Sequence, residues 1–596
     1  MDGMPRPVTR RRESRRITRA GRGGVRGGSS RQARCARVRA SDEPAPPWTV
    51  SSASRTAGLY VVSRFIVTVP MTALPFTPRG GAVMRVLLGA APLVLLLACS
   101  RSASPGDHDA GTSTEAHAGP PRMQNLAAVG PAKDRSVPPS GGRRFRVSPL
   151  GNDVNDCSDA HPCRQIQRGV KLATAPGDVL LVEDGEYERF TVDGLRGEPG
   201  RPITIFAIGR RAMVNPDRDC KNKYHCRDNI ILRNARHVVL DGIASQGAPR
   251  AAVAVFYGKN VTIRNGSYFD NGRWGIFSSF ADDLTIEHNE TRRSRREHGI
   301  YVSNSGDRPV IRANVVRDND GCGIQINADM REKPEVDKYG KPLYDGVADG
   351  LVTGASIERN LIIGNGSGAL ANQNKRRGAA INLDGVHDSI VQGNVLYDNA
   401  ASGIAAFGDE DGTEVDKDAD GDGRFGPKGL TIAHNTVVMP SGARHALQLR
   451  LSVGPNVVRN NILLHQDKRR AGLELVTEKD AKLVESDGNV LDRVALGDDV
   501  RPLAHWRKKL GQDKHSLSLS MSQLFRDPAR GDFTLLPASP AARGAMDDPV
   551  DERQDFLGKS RRRRGKGQHS IGACEVAPAE DSIFKASPVG PRARQR

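Results

Sequence analysis

Between residues 250 and 480 one short pattern returns again and again, and a stack of near-identical coils is the arrangement that can use it. A β-branched pair, one or two polar residues and an Asn recur as Thr285-Ile286-Glu287-His288-Asn289, Val310-Ile311-Arg312-Ala313-Asn314, Ser356-Ile357-Glu358-Arg359-Asn360, Ile390-Val391-Gln392-Gly393-Asn394, Leu430-Thr431-Ile432-Ala433-His434-Asn435 and Val457-Val458-Arg459-Asn460-Asn461. Two apolar positions and often Asp-Asn or Gly-Asn follow, and then a strand such as Gly275-Ile276-Phe277, Gly299-Ile300-Tyr301, Gly323-Ile324-Gln325 or Gly403-Ile404-Ala405. The uninterrupted steps, Gly275 to Gly299 and Gly299 to Gly323, are 24 residues long. A period in the low twenties, made of short alternating strands with Asn and Gly at the corners, describes a solenoid of parallel strands, about three per coil. Ile, Val and Leu then fill the interior. The Asn column reads as a ladder of stacked amides at an inward turn, where Asn tolerates the left-handed conformation and satisfies backbone groups. Its role is structural.

The ends of the chain differ from this body. The formal charge is +19 over 596 residues, yet residues 1–83 carry 16 Arg against 4 acidic residues and residues 559–596 carry 10 Lys and Arg against 3. Residues 84–558 are therefore neutral, with no basic stripe to neutralise phosphates, which argues against nucleic acid as a partner. Met84-Arg85 followed by the apolar run Val86–Ala98 has the length of an export signal and is too short to span a bilayer. Leu96-Leu97-Ala98-Cys99 resembles a bacterial lipobox, which implies diacylglyceryl transfer to Cys99 and a lipid-anchored place in the cell envelope, at the outer membrane or cell surface. The Arg-rich, aperiodic residues 1–83 then read as a non-native or disordered leader, residues 84–98 as the signal peptide and residues 99–143 as a flexible Ser/Gly/Pro/Ala-rich linker. Export agrees with Cys157/Cys163 and Cys220/Cys226, two close pairs in turn-rich sequence that suit local disulfides better than a zinc knuckle. Cys322 reads as a small core residue.

The segments Phe145–Asp153, Pro162–Gln167 and Gly177–Tyr187, with the repeats that follow, resemble the right-handed parallel β-helix proteins of the pectate-lyase-like group. Asp532-Phe533-Thr534-Leu535, Ser539-Pro540-Ala541 and Ser570–Glu575 are similar to the closing segment of the same proteins. The resemblance implies an all-β right-handed parallel β-helix over residues 144–545, a short capping α-helix near residues 163–174, and a closing segment with a basic tail over residues 546–596. It implies a polysaccharide as partner and leaves the chemistry open, because fold does not imply function. A monomer is expected.

Aligning the Gly-Ile strands puts Phe277, Tyr301, Gln325, Asn382, Ala405 and Gln448 at one outward position, and Ser279, Ser303, Asn327, Asp384, Phe407 and Arg450 two residues on. Period-2 alternation places both sets on the solvent face of one sheet. Trp274, His298 and His445 share a register just before these strands. Tyr301, Gln325, Asn327, Asn382, Gln448 and Trp274 are the candidate sugar-binding side chains. Insertions at residues 330–350 and 409–428 would stand as walls around a floor made by Asn382 and Asp384, with Asp329 on the first arm.

The second insertion contains Asp416, Asp418, Asp420 and Asp422 before Gly423, carboxylates at every second position of the kind that converge on Ca²⁺. The bidentate Glu of a complete loop is absent, since the twelfth position counted from Asp418 is Gly429. For catalysis, Asp384 with Asp329 forms a hydrolase pair, and His298 or Arg450 a base for elimination. Lyases of this fold, the resemblance implies, use Lys or Arg with Asp-bound calcium, but Lys is absent from the aligned column. The expectation is a lipid-anchored protein that binds and cleaves a polysaccharide; the alternative is a surface glycan-binding or adhesion protein without turnover.

Overall fold

The computed structural model describes residues 129–132, 135–138, 141–216, 226–329, 332–368, 378–408, 425–547, 554–561 and 569–576. Within them the chain winds into three long ladders, two of 12 strands and one of 10. Every ladder pairs in parallel, apart from Asp499–Pro502, which lies antiparallel to Arg493–Leu496 and ends one sheet. The first strand is Arg144–Val147, and its ladder runs to Val484–Asp487.

Two columns of side chains fill the bore from the sheet that carries the candidate site. Ile276, Ile300, Ile324, Ile381, Ile404, Leu447 and Leu473 stack in one, each paired with the next. All are fully buried. Burying such a side chain contributes roughly 1.5–3 kcal/mol, so one added coil carries its own core with it.

The corners are held by amides. Asn289 donates to Asn314 at 3.1 Å, Asn314 to Asn360 at 3.0 Å, Asn360 to Asn394 at 3.0 Å, Asn394 to Asn435 at 2.9 Å and Asn435 to Asn461 at 3.0 Å. The ladder is present as expected, but the left-handed residue is the one before each Asn. His288, Ala313, Arg359, His434 and Asn460 have φ between 52° and 57°, and Gly393 has 63°. The chain turns at that residue, which frees the Asn to point inward and cap backbone carbonyls such as Ile263 O and Ile311 O. Asn319, Asn365 and Asn399 build a second ladder at another corner.

The N-terminal opening is closed by the helix Ile166–Leu172, shorter than the stretch expected but in the same place. Ile166 and Val170 sit in the core with Val147 and Leu180. Asp153 Oδ1 accepts the backbone N–H groups of Arg164 and Gln165 at 2.9 and 2.8 Å, which sets the chain on entry to the helix. Gly151 passes so close to Pro162 and Cys163 that an added Cβ would lie 2.3 Å from the Cys163 carbonyl oxygen. The Cys157–Cys163 disulfide, with Cα atoms 4.6 Å apart, ties the same loop. Cys226 is also disulfide-bonded; Cys220 lies outside the described residues. Cys322 is buried among the apolar residues, as expected of a small core residue, and its thiol donates to Gln325 Oε1 at 3.2 Å.

Candidate functional site

The ladder pairs reproduce both outward columns. Phe277, Tyr301, Gln325, Asn382, Ala405 and Gln448 follow one another, and Ser279, Ser303, Asn327, Asp384, Phe407 and Arg450 run beside them. The first column continues to Glu474. Neighbouring members stand one strand apart, about 4.8 Å.

Much of this face is covered, contrary to the expectation of a solvated surface. Trp274 and Phe277 keep 7% and 8% exposure. Their rings stack on each other with centroids 4.4 Å apart, and Tyr301 leans on both at 5.5 and 5.4 Å. The Arg250 guanidinium lies 5.9 and 5.8 Å from the Trp274 and Phe277 rings. Trp274, expected to offer a face to a sugar, therefore spends that face on Phe277, and Tyr301 is the half-buried aromatic edge of the block. Beyond it the amides bind one another. Asn382 Nδ2 donates to Gln325 Oε1 at 2.8 Å, Gln325 Nε2 to Asn327 Oδ1 at 3.3 Å and Asn327 Nδ2 to the Ala328 carbonyl at 2.8 Å. Gln325 and Asn382 are buried, so the network fixes their orientation.

Asp384 stands in the second outward column two strands from Tyr301, and Asp329 follows Asn327 just past the end of the strand between them. Burial first, then the charges of Glu297, Asp329 and Asp384, push the Tyr301 hydroxyl above its ordinary value. It is a proton donor at any working pH. Asp329 is placed by its backbone N–H to Gly350 O at 2.9 Å, and Ala328 N–H donates to Asp384 O at 2.9 Å. The root of the first insertion and the Asp384 strand are thus tied together, on the same face as Tyr301.

The two histidines do not present a free base in their neutral form. His298 Nδ1 accepts the Cys322 N–H at 3.0 Å, and His445 Nδ1 accepts the Ala471 N–H at 3.0 Å. With that lone pair used, the neutral ring carries its proton on Nε2 and acts as a donor. Burial pushes His298 down to about 3. His445 lies 3.3 Å through Nε2 from Glu474 Oε1, and Gln448 Nε2 donates to Glu474 Oε2. Burial raises the Glu474 carboxyl. Glu474 was not among the residues selected from the sequence, although Gly472-Leu473-Glu474-Leu475 repeats Ala446-Leu447-Gln448-Leu449 26 residues on. Arg450 follows Phe407 in the second column and pairs through its strand with the same end of the face.

The first wall is present: residues 332–350 fold back over the ends of the strands that carry the aromatic block. Leu343 and Tyr344 pack with Tyr257 and Phe280. Asp416, Asp418, Asp420 and Asp422, with the rest of the second insertion up to residue 424, lie outside the described residues, as does Cys99.

The three parallel ladders make this chain a right-handed parallel β-helix, and residues 218–335 match the family model described as right handed beta helix region. No curated protein matches the chain. Among solved structures it is similar to a pectate lyase at 14% identity and TM-score 0.47, over 74% of this chain and 97% of that one. It is also similar to an alginate lyase from a Paenibacillus species, at 16% identity and TM-score 0.38, over 56% and 97%. A lacto-N-biosidase from Eubacterium ramulus is similar at 14% and 0.36, over 59% and 62%.

Proposed function

We propose that the outer face bearing Tyr301, Asp329 and Asp384 binds an extended polysaccharide along the solenoid axis and cleaves it. The observation that carries this reading is a half-buried phenol, kept protonated by burial, on the same outward face as Asp384 and with Asp329 at the root of the adjoining wall. A proton donor with carboxylates beside it is what glycosidic cleavage requires: the phenol protonates the departing oxygen and a carboxylate takes a proton from water or from the sugar. His298, proton on Nε2, serves as a hydrogen-bond donor to the substrate. Arg450 serves as a cation for an anionic group. Gln325, Asn327, Asn382 and Gln448 line the floor between them.

Calcium held by Asp416, Asp418, Asp420 and Asp422, and an anchor on Cys99 that keeps the protein at the cell envelope, belong to the same reading. The acidic run supplies hard oxygen donors and no competing soft ligand. The test is product release by the full chain from uronate-containing and neutral polysaccharides, with calcium and with chelator. Absorbance near 235 nm marks elimination, and reducing ends without that absorbance mark hydrolysis. A second reading, glycan binding without cleavage, is favoured by the closed Gln325–Asn382–Asn327 network; it predicts affinity with neither product.

A further inference from the structure

The wall formed by residues 332–350 ends in a tip that the cleft chemistry leaves unused. The segment departs after Asn327 and runs back along the edge of the face. There Glu335 pairs with Arg233, which occupies the Asn327 column four strands earlier. Four strand steps are about 19 Å. Both legs are tied down. Glu335 N–H donates to Tyr257 Oη at 3.1 Å, Tyr344 Oη donates to Asp282 Oδ1 at 2.7 Å, Arg236 holds Asp345 at 2.6 Å and Gly350 N–H donates to Ser305 Oγ at 2.7 Å.

The tip is shaped by its own hydrogen bonds. Val336 and Pro342 form an antiparallel bridge. Asp337 Oδ1 accepts the N–H groups of Tyr339 and Lys341 at 2.8 and 2.9 Å, which folds the carboxylate back onto its own turn. Tyr339 at the apex is 81% exposed, with Val336 at 56% and Val347 at 65%. Three of the seven large apolar side chains exposed among the described residues thus lie on this one arm, a concentration that marks a contact surface rather than scatter. The Lys338 ammonium sits 4.9 Å from the Tyr339 ring centroid and covers one face of the ring. The other face is open. Lys338 and Lys341 are exposed and form no ion pair among the described residues, whereas Glu335 and Asp345 at the base are paired with arginines.

We propose that Tyr339, with Lys338 and Lys341, is a distal subsite that stacks on one sugar ring of the polysaccharide and holds an anionic substituent on it. This rests on the reading of the adjoining face as a polysaccharide cleft. Its direction follows from the arm, which is rooted at Asn327 and Asp329 and delivers the tip some four strands toward the N-terminal end of the same face. The turn is held by its own hydrogen bonds before binding, so contact with a sugar costs little further backbone ordering. A lone aromatic with two cations suits a ring with a carboxylate or sulfate; a membrane surface would need a broader apolar area.

The experiment compares the full chain with Tyr339→Ala and with the Lys338→Ala/Lys341→Ala double variant, in affinity electrophoresis through polygalacturonate and through a neutral glucan. Cosedimentation with phosphatidylglycerol vesicles and melting temperature are measured in parallel. The expected result is that both variants lose about fivefold or more in polygalacturonate affinity at unchanged melting temperature, the scale of one stacking or cation contact. Unchanged affinity in both variants, with polygalacturonate still bound, overturns the subsite and leaves the cleft reading standing. Vesicle binding that Tyr339→Ala abolishes, with no glycan bound by any chain, overturns it in favour of a membrane contact. No glycan binding by the wild-type chain at all overturns subsite and cleft together.

Discussion

His298 accepts the backbone N–H of Cys322 through Nδ1 at 3.0 Å, one strand step along the solenoid, and so reads the next coil instead of standing ready to take a proton. The ring's value is pushed down to about 3 by burial. The unfolded chain takes up that proton near pH 6.5. A lowered folded value for a histidine means that stability present above about pH 6.5 is lost as the pH falls toward 3. The expected outcome is a melting temperature that declines from pH 7 to pH 4, and a shallower decline in His298→Gln. Identical slopes would show that the buried ring does not couple proton uptake to folding.

The Asn ladder makes a second prediction. Asn394 Nδ2 donates to Asn435 Oδ1 at 2.9 Å and to the Ile357 carbonyl at 2.9 Å, all fully buried. Replacing it with Ala leaves buried partners unsatisfied, which costs on the order of 2–4 kcal/mol for two such bonds. Denaturant unfolding of Asn394→Ala measures it. Gln246→Ala, by contrast, removes a partly exposed bond of 3.0 Å to Asn215 Oδ1 and should shift stability by about 1 kcal/mol or less.

At the far end of the face, Glu474 accepts from Gln448 Nε2 and lies 3.3 Å from His445 Nε2. Glu474→Ala leaves the half-buried Gln448 amide without its acceptor and the buried His445 ring without its carboxylate neighbour, and should destabilise by roughly 1–3 kcal/mol, while Glu474→Gln keeps a carbonyl acceptor and should recover more than half of that loss. Chemical denaturation of the two variants checks the order. Equal losses would mean that packing, not hydrogen bonding, is what Glu474 provides.

The fold was legible because a solenoid repeats its instructions. The register of the small residue and Ile holds even across the step of 57 positions from Gln325 to Asn382, where the coil is interrupted and Ala380 replaces the Gly. Both outward columns follow from it. Three things did not. The left-handed position falls on His288 or Ala313 rather than on the adjoining Asn, because the turn must precede the residue that points inward. The burial of Trp274 and Phe277 depends on side-chain packing between coils, which alternation alone does not report. Tyr339 and Glu474 escaped notice for opposite reasons: the first lies in an insertion outside the repeat, and the second lies in the repeat one coil beyond Gln448, where the reading of the column ended.

The central claim is that Asp384 and Asp329 act with Tyr301 on a bound sugar chain. The most direct measurement is product release from the polysaccharide panel by the full chain and by Asp384→Asn, with melting temperature recorded for both. The account predicts product from the wild-type chain, a loss of at least about 100-fold in Asp384→Asn, in the range general acid–base groups contribute, and melting temperatures that agree closely. Full activity in Asp384→Asn, or binding without product in the wild-type chain across the panel, would contradict it.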